Sequence, residues 1–185
     1  MQKKLIQYMQ GLMFIPMLSM SSPILALYQQ FIVPQNQDAT VEISVSINEE
    51  RAEKIDAYYA QRDMPLEGYG AKMVAEAEKN NIDWRLIPAI AIKESTAGKF
   101  ACGYNPFGWG SCKIKFNSWD HAIETIAYNL GGSNPATARY YEGTTTEEKL
   151  YHYNGSVIPA YTGEVLEFME LIEKQPVLEE DTPSV

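Results

Sequence analysis

One run of residues constrains this chain more than any other: Leu86-Ile87-Pro88-Ala89-Ile90-Ala91-Ile92-Lys93-Glu94. Leu86, Ile90 and Glu94 are four apart, with Ile87 and Ala91 beside them, which is the spacing of one helical face. A helix built from this run has to bury that face, and Glu94 continues the buried stripe. Asp83 is placed as an N-cap and predicts a helix from Trp84 to about Glu94. Pro88 removes a backbone donor just past the first turn of such a helix and predicts a local kink. Gly98 is placed to end the helix or to form the turn beyond it.

Helical patterning recurs along most of the chain. Asn48 caps a segment running to about Asp63, with Ile55, Tyr58 and Tyr59 on one face. Pro65, Gly68 and Gly70 mark a break. Met73, Val74 and Ala77 give a second helix a core face over Ala71–Asn80. Ser118 caps Trp119 to about Leu130, with Asp120 favourable near the positive end of the helix and Gly131-Gly132 closing it. Asn134-Pro135 has the form of a cap followed by proline at the first helical position. Thr145 and Glu148 have capping-box spacing for a helix through Tyr153. Val165, Met169 and Ile172 stripe a last helix that stops near Pro176. Ala101–Lys115, with Gly103, Asn105, Pro106, Gly108 and Gly110, has loop composition. Val41, Ile43, Val45 and Ile47 depart from the helical period; they alternate with polar residues and predict a half-buried strand. There is no internal repeat, and the expected fold class is mainly α with a short loop-rich region.

The flanks differ from this body. Lys3 and Lys4 precede a mostly apolar run from Leu5 to Val33 without a charged residue, the pattern of a secretory signal or an uncleaved membrane anchor. Residues 1–33 are therefore expected to export the protein and, if uncleaved, to attach it to a membrane. Residues 34–62 are expected to form a linker and N-terminal extension, residues 63–175 the main domain, and residues 176–185 a disordered acidic tail. In an exported protein Cys102 and Cys112 are expected to form one disulfide closing a short loop. A formal net charge of -9 argues against sequence-independent nucleic-acid binding, which needs clustered Lys and Arg. It excludes little about a polysaccharide partner.

Glu94 is the residue with the clearest chemical expectation. Its stripe buries it, and its place near a helix C-terminus sets it against the macrodipole. Both effects favour the protonated carboxyl, the form a general acid needs near neutral pH. Position alone is equally the description of a surface Glu at a fraying helix end.

The neighbouring residues add to that reading. Ile82 through Ser95, with an apolar helix ending in Glu94-Ser95 and followed by Gly98, resembles the helix that carries the catalytic Glu of lysozyme-like enzymes, among them lytic transglycosylases and bacterial glucosaminidases. Asn105-Pro106-Phe107-Gly108-Trp109-Gly110 resembles the Asn-x-Phe/Trp-Gly segment of the glucosaminidase-like branch, as does Phe116-Asn117-Ser118-Trp119 with its following helix. Tyr153-Asn154-Gly155 is similar to the Tyr-Asn pair of transglycosylases. The resemblance spans roughly Pro65 to Ile172 and rests on the order and spacing of these motifs. It implies a lysozyme-like helical domain that cleaves peptidoglycan glycan strands without a cofactor or metal, with Glu94 as general acid. It further implies that Tyr153 orients or stabilises the reacting sugar, and that Ser95, Tyr104, Asn105, Phe107, Trp109 and Asn154 form the substrate site. Each of these has an ordinary packing role as the alternative.

Three points stay open in the sequence. A second carboxylate, from Asp120, Glu124 or Glu142, either assists Glu94 or is absent as in transglycosylases. A binding module of the same fold would keep the cleft without turnover. Cys102, Cys112, His121 and His152 also permit a thiol hydrolase or a zinc site, although their spacings are not those of common zinc sites.

Overall fold

The computed structural model describes residues 37–177, with side chains from residue 41. The proposed leader or anchor at 1–33 and the acidic residues from Glu179 lie outside the described residues. The described chain is mainly helical and has no strand. Its helices are α1 (Gln37–Ala60), α2 (Gly70–Lys79), α3 (Leu86–Ser95), α4 (Trp119–Leu130), the single turn α5 (Ala138–Tyr141), α6 (Thr146–Leu150) and α7 (Tyr161–Glu173). None of these helices is long and apolar enough to cross a membrane.

α3 sits at the centre. Every residue from Leu86 to Ile92 is buried, so the helix is enclosed on all sides rather than along one stripe. It packs chiefly against α7 and also meets α2 and α4. The helix begins at Leu86, two residues later than the sequence predicts. Asp83 accepts a hydrogen bond from the Arg85 amide (2.9 Å) and pairs with the Arg85 guanidinium (2.6 Å), so it fixes the turn before the helix rather than capping it. The later start also removes the expected kink. Pro88 falls in the first turn, where a backbone N–H has no intrahelical acceptor to lose.

Several predicted features recur as expected. Met73, Val74 and Ala77 of α2 and Val165, Met169 and Ile172 of α7 all face the core. The Ser118 hydroxyl accepts from the His121 amide (3.2 Å) at the start of α4. Thr145 and Glu148 form both halves of a capping box at α6. Asn134 accepts from the Ala136 amide (3.0 Å) but shapes a turn, and α5 begins only at Ala138.

Two expectations fail at α1. The alternating Val41–Ile47 segment is helical, not extended. No strand pairs with it among the described residues, and a lone strand leaves its backbone groups unpaired, whereas a helix satisfies its own. The period of two then places Val41 and Val45 on one side of the helix and Ile43 and Ile47 on the other, and all four are exposed. The second half of α1 is the expected helix with its Ile55, Tyr58 and Tyr59 face, but with Ala52 these residues belong to the same core as α3 rather than to an extension outside it. The Tyr59 hydroxyl donates to the Pro88 carbonyl (3.1 Å), and the Asp56 carboxylate accepts from the Gly68 and Gly70 amides (2.9 and 3.0 Å). Gly70 is needed at that contact, because a Cβ there would lie 2.3 Å from the Ala52 carbonyl oxygen.

Ile90, fully buried at the middle of α3, tests this assignment of the core. Ile90→Ala is expected to lower the urea-unfolding free energy by about 2–5 kcal/mol, the range for emptying a packed aliphatic site. A loss below about 1 kcal/mol in that titration would place α3 nearer the surface.

Candidate active site

The end of α3 delivers Glu94 to the floor of a cleft of about 490 Å³. The helix stops there by reversing its backbone: Thr96 and Ala97 take left-handed φ angles of 55° and 47°, and their amides return to the Ile92 and Ala91 carbonyls (both 2.9 Å). The cleft is lined by Glu94, by Phe107 to Ser111 of the long loop, and by Tyr153 and Asn154.

The loop is fastened at several points. Ser95 is buried, and its hydroxyl donates to the Pro106 carbonyl (2.7 Å) while accepting from the Gly98 amide (2.9 Å). Asn105 is buried as well; its amide donates to the Trp109 carbonyl (2.9 Å) and its carbonyl accepts from the Trp109 amide (3.1 Å). Phe107 is a core side chain that contributes its backbone to the cleft. Cys102 and Cys112 are bonded to each other across the loop, with Cα atoms 5.9 Å apart. Gly108, Gly110, Ser111 and Cys112 all hold positive φ, which presses the loop backbone toward Glu94. A Cβ on Gly108 would lie 2.9 Å from Glu94 Oε2, so a side chain there would have to displace the carboxyl, and the positive φ of 61° also favours glycine.

The opposite wall comes from the end of α6. Tyr151–Gly155 form a single wide turn, closed by the Ser156 amide on the Tyr151 carbonyl (2.8 Å). It turns Tyr153 and Asn154 into the cleft. The Tyr153 hydroxyl donates to the Phe107 carbonyl (2.6 Å) and so braces one wall against the other. Its ring stacks on Tyr161 (centroids 6.0 Å apart, planes 9° from parallel) and leans against Trp109 (5.6 Å).

Tyr161 is the residue the sequence does not single out. From the first turn of α7 its hydroxyl donates to Glu94 Oε1 (2.7 Å). It extends the Val165, Met169 and Ile172 stripe by one turn and therefore looks like ordinary core. The available signal is that a buried tyrosine hydroxyl needs a polar partner. Burial raises the Glu94 carboxyl above its ordinary value of 4.5; the Tyr161 hydrogen bond and the Lys93 charge oppose the rise without cancelling it. Burial raises Tyr161 and Tyr153 strongly, with the Glu94 charge adding to both, so each remains a neutral phenol.

Of the other expected substrate contacts, Trp109 and Asn154 line the cleft, and the Asn154 amide makes no hydrogen bond among the described residues. Tyr104 does not line it; the ring packs edge-on against Trp119 (5.3 Å). Ser95 and Asn105 hold the loop rather than face the cleft. Among the described residues no second carboxylate lines the cleft: Asp120 is exposed in the first turn of α4, Glu124 pairs with Lys72 (2.5 Å), and Glu142 is exposed beyond α5. The disulfide leaves no free thiol for a nucleophile or a zinc ligand, and no metal-ligand cluster occurs among the described residues. His121 packs edge-on to Phe116 and His152 against Tyr140. No family model, curated protein or solved structure matches the chain.

The Tyr161 hydroxyl stabilises the ionised form of Glu94, so Tyr161→Phe is expected to raise the Glu94 pKa further. Carbon-detected NMR titration of the Glu94 carboxyl reads this directly, and a downward shift would contradict the assigned bond. The raised value also has a stability consequence. Between the ordinary carboxyl pKa and its folded value, the native state keeps a proton that the unfolded chain has released, so stability falls as pH rises through that window and stays lower above it. Glu94→Gln removes this loss. Its melting temperature is expected to exceed the wild type's at pH 7–8, with the gap closing below about pH 4.

Proposed function

We propose that this protein is a glycan-strand-cleaving enzyme of the lysozyme-like kind, acting on peptidoglycan, with Glu94 as its general acid. The observation that carries this reading is a single carboxyl lining the cleft among the described residues, with burial favouring its acid form. Glu94 is half-buried, is fixed through Oε1 by Tyr161, and presents Oε2 beside Gly108 at the cleft wall. The motif order from Ile82 to Asn154 supports the same reading.

The chemistry follows from those two oxygens. Tyr161 occupies Oε1, so the proton that burial favours resides on Oε2, where it can pass to a glycosidic oxygen. As the bond breaks, the carboxylate left behind faces the developing positive charge on the sugar ring. Two-carboxylate glycosidases place a second acid about 5–9.5 Å away. Among the described residues no such acid lines this cleft, which favours a lytic transglycosylase outcome, in which Glu94 serves first as acid and then as base while a hydroxyl of the sugar itself closes an anhydro ring. Trp109 and Asn154 supply a stacking face and a free amide for the sugar. Tyr153 acts through position: its hydroxyl is engaged by Phe107, so it holds the walls together and screens Glu94 rather than touching the sugar.

Purified protein on isolated cell walls tests this. Wild type is expected to release soluble fragments with anhydro ends, and Glu94→Gln to reduce release by at least about 10²-fold. Activity is expected to decline as pH rises through the Glu94 pKa, because the acid form is consumed. Reducing ends in the mass spectrum would indicate hydrolysis. Wall binding without any released fragment would favour a non-catalytic glycan-binding module.

A further inference from the structure

The two segments that wall the cleft are free of acidic residues. Ser95–Trp119 and Lys149–Gly163 contain no Asp or Glu, in a chain that carries 24 of them. At the chain's own average, that length would hold about five. The first segment also carries three exposed lysines, Lys99, Lys113 and Lys115.

These lysines are unlike most cations of the molecule. On α1, α2, α3 and α7 the lysines and arginines mostly pair with carboxylates. Arg62 and Arg139 lie over tyrosine rings, and Lys149 is buried against the Tyr141 carbonyl. Lys99, Lys113 and Lys115 have no carboxylate within ion-pair distance among the described residues. Two contacts hold the last two against the cleft wall. Ile114 packs over Gly110, where a Cβ would lie 2.7 Å from its Cδ1, and the Ile114 carbonyl accepts from Asn105 (3.4 Å). Lys113 follows Ser111 of the wall by two residues, within about 8 Å along the chain; the disulfide keeps Lys99 within about 17 Å of Cys112.

We propose that this acid-free rim, centred on Lys113 and Lys115, binds the carboxylates of the peptide stems carried by the glycan strand. The proposal rests on the glycan-strand reading of the cleft. A protein of net charge -9 repels an acidic polymer over most of its surface, and the rim is the place where approach is electrostatically favourable. The same turn supplies Gly110 and Ser111 to the cleft, so whatever meets the lysines is continuous with whatever fills the cleft. That continuity favours stems on the bound strand over an anionic lipid surface, which would engage the lysines independently of the cleft.

Binding, measured on the Glu94→Gln protein, separates the possibilities. The probes are soluble glycan fragments with their stems, the same fragments stripped of peptide by an amidase, and vesicles of anionic lipid. Lys113→Gln/Lys115→Gln is expected to weaken binding of stem-bearing fragments roughly five- to tenfold and to flatten its salt dependence. Lys113→Arg/Lys115→Arg should retain both, and Lys174→Gln should change neither. Unaltered thermal melting of the Gln variant excludes a folding defect. Equal affinity for stem-bearing and peptide-free fragments overturns the proposal, even if the wild type cleaves glycan. Lysine-dependent binding to the vesicles and not to the stems also overturns it. Lysine-dependent stem binding by a wild type that releases no fragments upholds the rim and overturns the cleavage reading instead.

Discussion

The hydrogen bond between the Tyr161 hydroxyl and Glu94 Oε1 joins the two helices on which the site depends. α3 brings a carboxyl to the end of a fully enclosed helix, and α7 meets it with a phenol whose own pKa is raised by burial. Without that partner, the inner oxygen of Glu94 would be a desolvated acceptor left unsatisfied, at a cost of about 1–3 kcal/mol. With it, one oxygen is satisfied and the other stays free to exchange a proton. The stacked Tyr153 ring extends the contact to the loop through the Phe107 carbonyl. The two walls and the floor of the cleft are thus joined by two hydrogen bonds and the aromatic stack between them.

The loop that forms one wall is held in a conformation it would not adopt alone. Ser111 and Cys112 are non-glycine residues in left-handed backbone, each costing about 1–2 kcal/mol. A disulfide closing a short loop contributes about 2–4 kcal/mol by restricting the unfolded chain. The two magnitudes are comparable, and the Asn105 and Ser95 hydrogen bonds add to the second. The close approach of Gly108 to Glu94 is therefore maintained by restraints on both sides of it, which is the usual condition under which local strain persists at a functional site.

Legibility in the sequence followed the range of the interactions. Local signals were readable: the Thr145–Glu148 capping box, the Ser118 cap, and the core faces of α2 and α7 depend on residues within a few positions of each other. α3 was readable as buried because its apolar residues are contiguous, although its start was displaced once Asp83 turned to Arg85. The Val41–Ile47 segment is helical despite its alternation, because alternation signals a strand only where a second strand supplies hydrogen bonds. Within the site, Glu94, Trp109 and Asn154 stood out by composition and motif. Ser95 and Asn105 stood out as well, but their polar atoms proved to be spent on the loop. Tyr161 did not stand out, since 67 residues separate it from Glu94 and its spacing is that of core.

α7 performs a second service for Glu94 that is visible only in three dimensions. Lys93 precedes Glu94 in the chain, and its charge, if free to approach, would hold the carboxyl ionised. Glu164, one turn after Tyr161 on α7, pairs with the Lys93 ammonium (2.5 Å). Among the other buried or half-buried acids of the core, Glu76 has Lys72 and Lys79 and Asp83 has Arg85, while Asp56 has two backbone amides yet is still raised by burial. Glu94 differs in being met by a neutral phenol, while its neighbouring cation pairs with Glu164 and still lowers the Glu94 pKa without cancelling the rise. A hydroxyl favours the carboxylate less than an ammonium does, so burial prevails and the Glu94 pKa lies above its ordinary value. The same helix thus positions the Glu94 carboxyl and leaves burial to favour its acid form.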